Sequence, residues 1–267
     1  MSDHFLPRAA VRGKSVWVFV LPASVLLCLL GVPLAALVWR TAASDFMPSV
    51  LAPTAFDAMR LSLLTSAATM LVAIVCGTPL AYGLARWRFR GRAVVELLVD
   101  LPIVLPPAVA GLALLMAFGR RGVLGPLLGV AGINLPFTTA AVVLAQTFVA
   151  APFYVRAARI GFHGVDVQLE EAAYTEGANQ WQVFRYVMLP QAGRALLGGA
   201  IMCWARALGE FGATILFAGN MPGRTQTMPL AIYLGLERNL GVALALSAML
   251  LAVSVVLLAL VRSLENR

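Results

Sequence analysis

An arginine and a glutamate interrupt a long apolar run in the last third of the chain. The run Leu196–Ala218 holds Arg206 near its centre and Glu210 four residues later. A charge at the centre of a bilayer costs about 3 kcal/mol on insertion scales, so neither group is expected to face lipid. One interpretation is a self-neutralising ion pair with a structural role alone. The other is that Arg206 supplies positive potential to a route for anions, while Glu210 orients it or helps to hold a gate.

Three prolines fall within another apolar run, "DLPIVLPPAVAG", at positions 100–111. Pro102, Pro106 and Pro107 lack the amide hydrogens that would bond carbonyls one turn earlier, so the run is expected at least to bend. One interpretation is a static kink. The alternative is a bend near the bilayer centre that lines a gate, with Pro106 and Pro107 at its turn.

The stretch "EEAAYTEGANQWQVFRYVMLP" at 170–190 is polar in a chain that is otherwise mostly apolar. Its pattern predicts two short helices joined by a turn. Asp166 is a candidate N-cap for the first helix, which should end at Gly177. Asn179 is placed to cap the second with Gln182 three residues on, which is the spacing of a capping box, and Pro190 is expected to close it.

The two faces of this stretch differ in size. Ala172, Ala173 and Gly177 have almost no side chain, so another surface could approach the backbone there. The second helix carries large residues on one face, which we expect to pack on membrane helices: Trp181, Phe184 and Met188. A DNA-binding helix-turn-helix is an alternative, but its acidic first helix would be repelled by phosphates. An ordinary surface loop is the other alternative.

The elements that must position these residues are membrane helices. Hydrophobic residues make up 61% of the 267 positions and charged residues only 12%, against roughly a quarter in soluble domains. About 20 apolar residues span a hydrocarbon core. The sequence therefore predicts an all-α integral membrane protein with a single domain over residues 1–267 and a loop at about 157–193. Its six predicted spans are Val16–Trp39, Leu61–Ala85, Leu97–Phe118, Phe137–Val155, Leu196–Ala218 and Gly241–Val261.

The distribution of basic residues predicts the orientation. With a cytoplasmic N-terminus, basic residues concentrate on the inside, so both termini and the 157–193 loop are expected there. The net charge of +8 is then a topology signal and needs no nucleic-acid partner. The inside residues are Arg8, Arg12, Lys14, Arg86, Arg88, Arg90, Arg92, Arg156, Arg159, Arg185, Arg194, Arg262 and Arg267, against Arg40, Arg60, Arg120, Arg121, Arg224 and Arg238 outside.

Several other sequence features give no indication of a functional site. The first span could be a secretory signal, but its apolar run is longer than such segments and lacks a clear cleavage site, so we expect it to be retained. The three cysteines lie within spans and are interpreted as small core residues. Gly13-Lys14-Ser15 resembles the end of a phosphate-binding loop, but Arg8 stands where that pattern needs glycine. We interpret His4 and His163 as solvated, and no catalytic constellation is present in the sequence.

The polar stretch resembles a known family motif. Glu171-Ala172-Ala173, three residues, Gly177, nine residues, Val187, one residue and Leu189-Pro190 follow the EAA motif of permease subunits in ATP-binding-cassette importers, with Val in place of Ile. The resemblance implies a type I importer permease fold. It also implies that Glu170, Glu171, Ala172, Ala173, Gly177, Leu189 and Pro190 couple to a cytoplasmic ATPase, so that ATP and Mg²⁺ bind to that partner and this chain holds no cofactor.

The substrate class follows from a second resemblance. "ARALGEFGATILFAGNMPGRTQTMPLAIY" at 205–233 and "LPIVLPPAVAG" are similar to the molybdate branch of these permeases. Sulfate, thiosulfate and tungstate permeases of the same family remain alternatives. A tetrahedral dianion needs hydrogen-bond donors and positive potential, which is compatible with the outer arginines Arg120, Arg121 and Arg224. These could equally dock an external binding protein, which we favour for Arg224.

The expected assembly lies in a bacterial inner membrane. It contains two copies of this chain, two ATPase subunits that grip the loop around Glu171–Gly177, and an external oxyanion-binding protein. Small residues at Ala205, Gly209 and Ala213 recur every four positions and indicate a helix interface, which we interpret as the dimer axis. An autonomous secondary transporter is the rival from another class, but no duplicated half is visible in the sequence.

Overall fold

The computed structural model describes residues 13–42 and 46–265. Every regular element in these two ranges is helical. The helices, in chain order, are α1 Gly13–Ala42, α2 Phe46–Val50, α3 Pro53–Arg86, α4 Arg92–Val104, α5 Pro107–Phe118, α6 Gly125–Val130, α7 Thr139–His163, α8 Val167–Thr175, α9 Gln180–Gln182, a π-helical segment Val183–Met188, α10 Leu189–Leu208, α11 Gly212–Phe217, α12 Met228–Arg238 and α13 Leu240–Glu265.

The chain divides into two compact units, residues 1–45 and 46–267. The described part of the first unit is α1, an apolar helix of 30 residues that contains Pro22 and Pro33. The second unit contains the other helices. His4, Arg8, Arg12 and Arg267 lie outside the described residues.

Four described helices are long and apolar enough to cross a membrane. They identify the chain as a multi-pass membrane protein. They cover Phe19–Ala42, Pro53–Arg86, Thr139–His163 and Leu240–Leu264, and a shorter apolar helix covers Pro107–Phe118. Large apolar side chains on α3, such as Leu64, Leu71 and Val75, are exposed on its outer surface. An exposed surface of this kind is expected to face lipid, because contact with lipid leaves no apolar side chain exposed to water.

Two of the predicted spans are not continuous helices. The third, Leu97–Phe118, divides at Leu105 and Pro106 into α4 and α5, so the prolines, which were expected at least to bend the run, break it. Pro102 lies buried inside α4 and does not end it. The fifth, Leu196–Ala218, divides after Leu208 into α10 and α11.

Helix α7 forms the centre of the second unit, and half of the residues in its apolar stretch are buried. It packs on α3 and α10 through small residues. A Cβ built on Gly199 of α10 would lie 2.7 Å from the Cβ of Ala157, and one on Gly161 of α7 would lie 2.6 Å from the Cβ of Ala195. The backbones of α7 and α10 therefore approach too closely for any larger residue at either glycine.

This contact predicts opposite outcomes for two adjacent glycines. Gly199→Ala should lower the stability of the detergent-solubilised protein by about 1–3 kcal/mol, because the new methyl group overpacks a rigid backbone contact. Gly198→Ala is the matched control, since a Cβ there meets no atom within 4 Å. Thermal unfolding monitored by tryptophan fluorescence measures both variants. Equal midpoints for the two would contradict the close approach of α7 and α10.

Candidate functional site

The Arg206–Glu210 ion pair forms at the break between α10 and α11. Arg206 Nη1 lies 2.8 Å from Glu210 Oε2, and the Glu210 side chain is only 1% exposed. The other carboxylate oxygen accepts a hydrogen bond of 2.8 Å from the amide of Ala213, in the first turn of α11. One buried carboxylate thus binds the guanidinium of the preceding helix and a free amide of the following helix. Because Gly209 ends α10, the small residues do not form a stripe along one helix as expected.

The break after α10 lies against the proline break between α4 and α5. A Cβ built on Gly212 would be 2.6 Å from Pro107 Cβ, and one on Gly111 would be 2.9 Å from the Ala213 carbonyl oxygen. Pro106 is the N-cap of α5, and its carbonyl accepts a hydrogen bond from the Ala110 amide. The structure therefore brings Pro107 next to the first turn of α11, the helix whose start Glu210 holds.

The loop that joins α7 to α10 has the predicted caps. Asp166 Oδ1 accepts from the Gln168 amide at 2.9 Å at the start of α8. Asn179 and Gln182 form both hydrogen bonds of the capping box. Helix α8 ends at Thr175, and Gly177 follows with φ of +87°.

The turn after α8 depends on the left-handed backbone of that glycine. The Gly177 amide donates to the Tyr174 carbonyl and the Ala178 amide to the Ala173 carbonyl, each at 3.0 Å. This is the hydrogen-bond pattern of a Schellman motif, in which glycine satisfies the last carbonyls of a helix. No atom of the described residues lies within 4 Å of a Cβ built on Gly177, so the described part of the chain leaves that side of the turn open.

The prediction that Pro190 closes the second helix is wrong. The chain passes from α9 through the π-helical segment directly into α10, and Pro190 lies in the first turn of α10. The Leu189 amide donates to the Phe184 carbonyl, one residue further back than in an α-helix. Proline lacks the amide that would bond the carbonyl four residues earlier, and its ring crowds that carbonyl. Widening of the preceding turn accommodates proline without ending the helix.

The residues of the motif on α8 have different environments. The Glu170 side chain forms an ion pair with Arg86 at the end of α3, and both side chains are largely buried. Arg86 Nη2 also donates to the Val165 carbonyl at 2.9 Å. Glu171 and Ala172 are exposed, whereas Ala173 is half-buried against the hydrophobic core. Of the two adjacent glutamates, the first therefore attaches α8 to the helix bundle and the second faces outward.

The large residues of the second helix pack mostly as expected. Met188 is fully buried, and Phe184 contacts the rings of Tyr82 and Phe162 at centroid distances of 5.1 and 6.0 Å. Trp181 stacks beside Phe184 at 5.6 Å but remains 68% exposed. The aromatic face thus joins the loop to α3 and α7, with Trp181 at its outer edge.

A glutamate on α4 joins two further arginines at the same end of the bundle. Glu96 Oε1 lies 2.9 Å from Arg92 Nε and 3.1 Å from Arg159 Nη1. The hydrogen bond from Arg92 holds the pKa of Glu96 below its usual value, with further lowering by the charge of Arg159. Glu96 is therefore an ion-pair partner of both arginines. Asp100 forms no ion pair with any residue in the described part of the chain.

Arg224 lies at the opposite end, in the loop between α11 and α12. It is exposed beside Gly223, which has φ of +72°. The following Thr225, Gln226 and Thr227 are buried, and Gln226 Nε2 donates to Asn220 Oδ1 at 3.0 Å. Buried polar residues therefore order this loop and leave the arginine on its surface.

A polar seam on α3 was not anticipated from the sequence. Ser62, Thr65, Ser66 and Thr69 are all buried, at a spacing that places them on one helical face. Trp204 Nε1 of α10 donates to Ser66 Oγ at 2.9 Å. Hydroxyls at this spacing inside an apolar run indicate a helix that faces protein, so the pattern itself was available in the sequence.

Comparison with known proteins agrees with this arrangement. Residues 70–267 match the family described as binding-protein-dependent transport system inner membrane component. The chain belongs to this family. It is therefore a permease subunit of a transport system, and the resemblance of its loop to the EAA motif is confirmed at the level of the family.

Named relatives share most of the length of this permease. It is 42% identical over 240 residues to the molybdenum transport system permease protein ModB of Mycobacterium tuberculosis, which covers 89% of this chain and 90% of that protein. It is 36% identical over 250 residues to the molybdate/tungstate transport system permease protein WtpB of Thermococcus kodakarensis, with 92% and 96% covered.

A solved structure shows the same fold. The permease aligns with a chain of a bacterial alginate ABC transporter, solved in complex with an alginate-bound periplasmic protein, at a TM-score of 0.72 and 19% identity, over 96% of this chain and 94% of that one. This likeness confirms the all-α importer permease fold.

The two adjacent glutamates of α8 predict different effects on stability. Glu170→Gln should lower the free energy of unfolding of the permease by about 2 kcal/mol, because it leaves the largely buried Arg86 charge without its partner. Glu171→Gln is the matched control and should leave stability unchanged, since its side chain is exposed. Thermal unfolding in detergent measures both. A Glu171→Gln variant as unstable as Glu170→Gln would show that the Arg86–Glu170 pair does not hold the loop.

Proposed function

We propose that this permease forms the membrane pathway of an ATP-driven molybdate importer. The observation that carries the substrate is the 42% identity to a molybdenum transport permease over 90% of that protein's length. Molybdate is a tetrahedral dianion, which a protein recognises through hydrogen-bond donors and positive charge. The chain has an excess of basic residues, with 20 lysines and arginines against 12 acidic residues.

The proposed orientation has both termini in the cytoplasm of a bacterial cell. It follows from the positive-inside distribution of arginines and lysines. In this orientation α8 and the Arg86–Glu170 pair lie at the cytoplasmic face, and Arg224 lies at the outer face.

The exposed edge of α8 is the proposed contact for a cytoplasmic ATPase subunit. It consists of Glu171, Ala172 and the open side of Gly177, where the chain presents little side chain. Glu170 contributes by attaching α8 to the bundle instead of touching the partner. ATP and Mg²⁺ bind to the ATPase subunit in this proposal, and the chain needs no cofactor of its own.

The proposed connection between the ATPase contact and the membrane pathway is the continuous helix that follows the contact. The π-helical segment leads through Leu189 and Pro190 into α10 without a break, and α10 ends at the Arg206–Glu210 pair. Force applied at the loop can therefore reach that pair through one element. Ligand-driven switching requires such an element with different contacts in each state.

The proposed gate lies where the two helix breaks meet. Arg206 and Glu210 stand on one side and Pro106 and Pro107 on the other, and Gly212 is in close contact with Pro107. A non-helical backbone at membrane depth is tolerated where it is buried in protein or lines a water-filled cavity, which suits a pathway.

The proposed assembly contains two copies of this permease, two ATPase subunits and an external oxyanion-binding protein that docks near Arg224. Support for the binding protein comes from the family description and from the alginate transporter, which was solved with a periplasmic protein.

Gly177 tests the ATPase contact. Gly177→Asp adds bulk and charge on the open side of the turn, so we expect membrane insertion to survive while co-purification with the ATPase subunit and coupled ATP hydrolysis fail. Gly223→Asp is the matched control, because Gly223 also has a positive φ and no atom within 4 Å of a built Cβ. It should retain the ATPase subunit, which separates backbone strain from loss of contact. Normal uptake by the Gly177→Asp complex would remove the contact from the proposal.

Competition tests the substrate. Cells expressing the complete transporter should take up labelled molybdate, and unlabelled tungstate should compete because it is a tetrahedral dianion of nearly the same size, whereas sulfate is smaller. Strong inhibition by micromolar sulfate without inhibition by tungstate would indicate a sulfate-type importer instead. Uptake in vesicles that lack both ATP and the ATPase subunit would indicate an autonomous secondary transporter.

A further inference from the structure

A cleft of about 540 Å³ lies between α7 and α10, at the ends of these helices that connect to the α8 loop, and Ile103 of α4 and Val261 and Leu264 of α13 also line it. Its floor is the close contact of Ala157 with Gly199, and residues such as Phe153 form apolar walls. Among the described residues that line it, only Arg156 and Arg194 carry charge. We call this feature the two-arginine cleft. In the sequence, both arginines were counted only as indicators of topology.

Neither arginine of the cleft has a carboxylate partner among the described side chains. No carboxylate oxygen of the side chains described, within residues 19–42 and 46–264, lies within 4.0 Å of a side-chain nitrogen of Arg156 or Arg194. Arg86, Arg92 and Arg159, at the same end of the bundle, are each paired with a glutamate. Both arginines are exposed to solvent. The cleft therefore presents two positive charges that have no described carboxylate partner, beside apolar walls.

The cleft extends along α10 as far as Met202, one helical turn before Arg206 of the proposed gate. Arg194, Gly198 and Met202 line it at four-residue spacing. Each four-residue step rotates about 40° around an α-helix, so Arg206 is close to Met202 but about 120° around the helix from Arg194. At 1.5 Å per residue, Arg194 and Arg206 are about 18 Å apart along the helix axis.

The third guanidinium lies between these two in depth. Gly161 packs against Ala195, and Gly199 packs against Ala157, so α7 runs antiparallel to α10. This register places Arg156 between the levels of Arg194 and Arg206. Three guanidiniums thus succeed one another from the Arg206–Glu210 pair to the loop end of the bundle.

We propose that the two-arginine cleft is the last site that the transported tetrahedral oxyanion occupies before release, bound by Arg156 and then Arg194. This inference rests on the proposed function. A guanidinium presents several N–H donors in a planar fork that matches two oxygens of a tetrahedral anion. Contact with only two guanidiniums in an open cleft binds the anion weakly, which permits release as conduction requires.

The experiment uses the complete transporter, with ATPase subunit and binding protein, reconstituted in phosphatidylcholine vesicles. Labelled molybdate uptake is measured at equal amounts of assembled complex. Arg156→Gln/Arg194→Gln removes both charges, and Arg156→Lys/Arg194→Lys retains them. Arg88→Gln is the matched control, because Arg88 is exposed near the same end of the bundle, forms no ion pair within the described ranges and does not line the cleft.

The glutamine double variant should lower uptake about tenfold through loss of two charges facing a dianion. The lysine variant should have intermediate uptake, because it keeps the charges but loses the planar fork of donors. Arg88→Gln should match the wild type. Wild-type uptake by the glutamine variant would overturn the inference and leave the proposed function intact. If the double variant does not assemble, the single glutamine variants are compared in its place, and uptake by both at the wild-type rate overturns the inference equally.

A second lipid composition distinguishes an anionic phospholipid headgroup from the transported anion. If the glutamine variant is impaired only in vesicles that contain phosphatidylglycerol, the cleft binds a headgroup and the inference is wrong. A wild-type complex that transports sulfate and not molybdate would correct the proposed substrate, and the same comparison measured with sulfate would then decide the inference. A wild-type complex that transports no oxyanion would overturn both.

Discussion

One buried carboxylate, that of Glu210, stabilises the break between α10 and α11 inside an apolar environment. Backbone amides and charged side chains in lipid must find partners within the protein, because no water is available to them. Glu210 supplies both kinds of partner, since it binds the Arg206 guanidinium and the Ala213 amide. The short helix α11 can therefore start at a new angle and pack against α5, where Pro107 has produced a second break. In the sequence, Arg206 and Glu210 appear as a costly interruption of an apolar span. In the structure, the break between α10 and α11 depends on them.

Features that depend on neighbours in sequence were predictable. The apolar runs located the long helices, and the side chains of Asp166, Asn179 and Gln182 formed the predicted caps because such bonds reach only two or three residues. Proline was less reliable as a stop signal. Pro102 and Pro190 both lie within helices, and the turn before Pro190 widens to accommodate it. Whether a proline breaks a helix depends on the packing around it, which its own position in the sequence does not specify.

Features that depend on tertiary contact were not predictable from local pattern. Glu170 and Glu171 are the same residue type in adjacent positions, yet one pairs with Arg86, 84 positions earlier in the chain, and the other is exposed. Arg156 and Arg159 likewise lie one turn apart on α7, but among the described side chains only Arg159 has a glutamate partner. The positive-inside distribution treats these arginines as equivalent charges. Their different environments arise from which helix packs beside each of them.

The attachment of the α8 loop to the bundle bears on how a complex is put together. The Arg86–Glu170 pair, the Schellman turn at Gly177 and the packing of Phe184 on Tyr82 hold the loop through contacts within this chain alone. A partner that binds its exposed edge meets a surface that already exists, so association loses little conformational entropy in ordering the loop. Such a chain can fold in the membrane first and bind a soluble subunit afterwards. Its folding then does not depend on whether that subunit is already present.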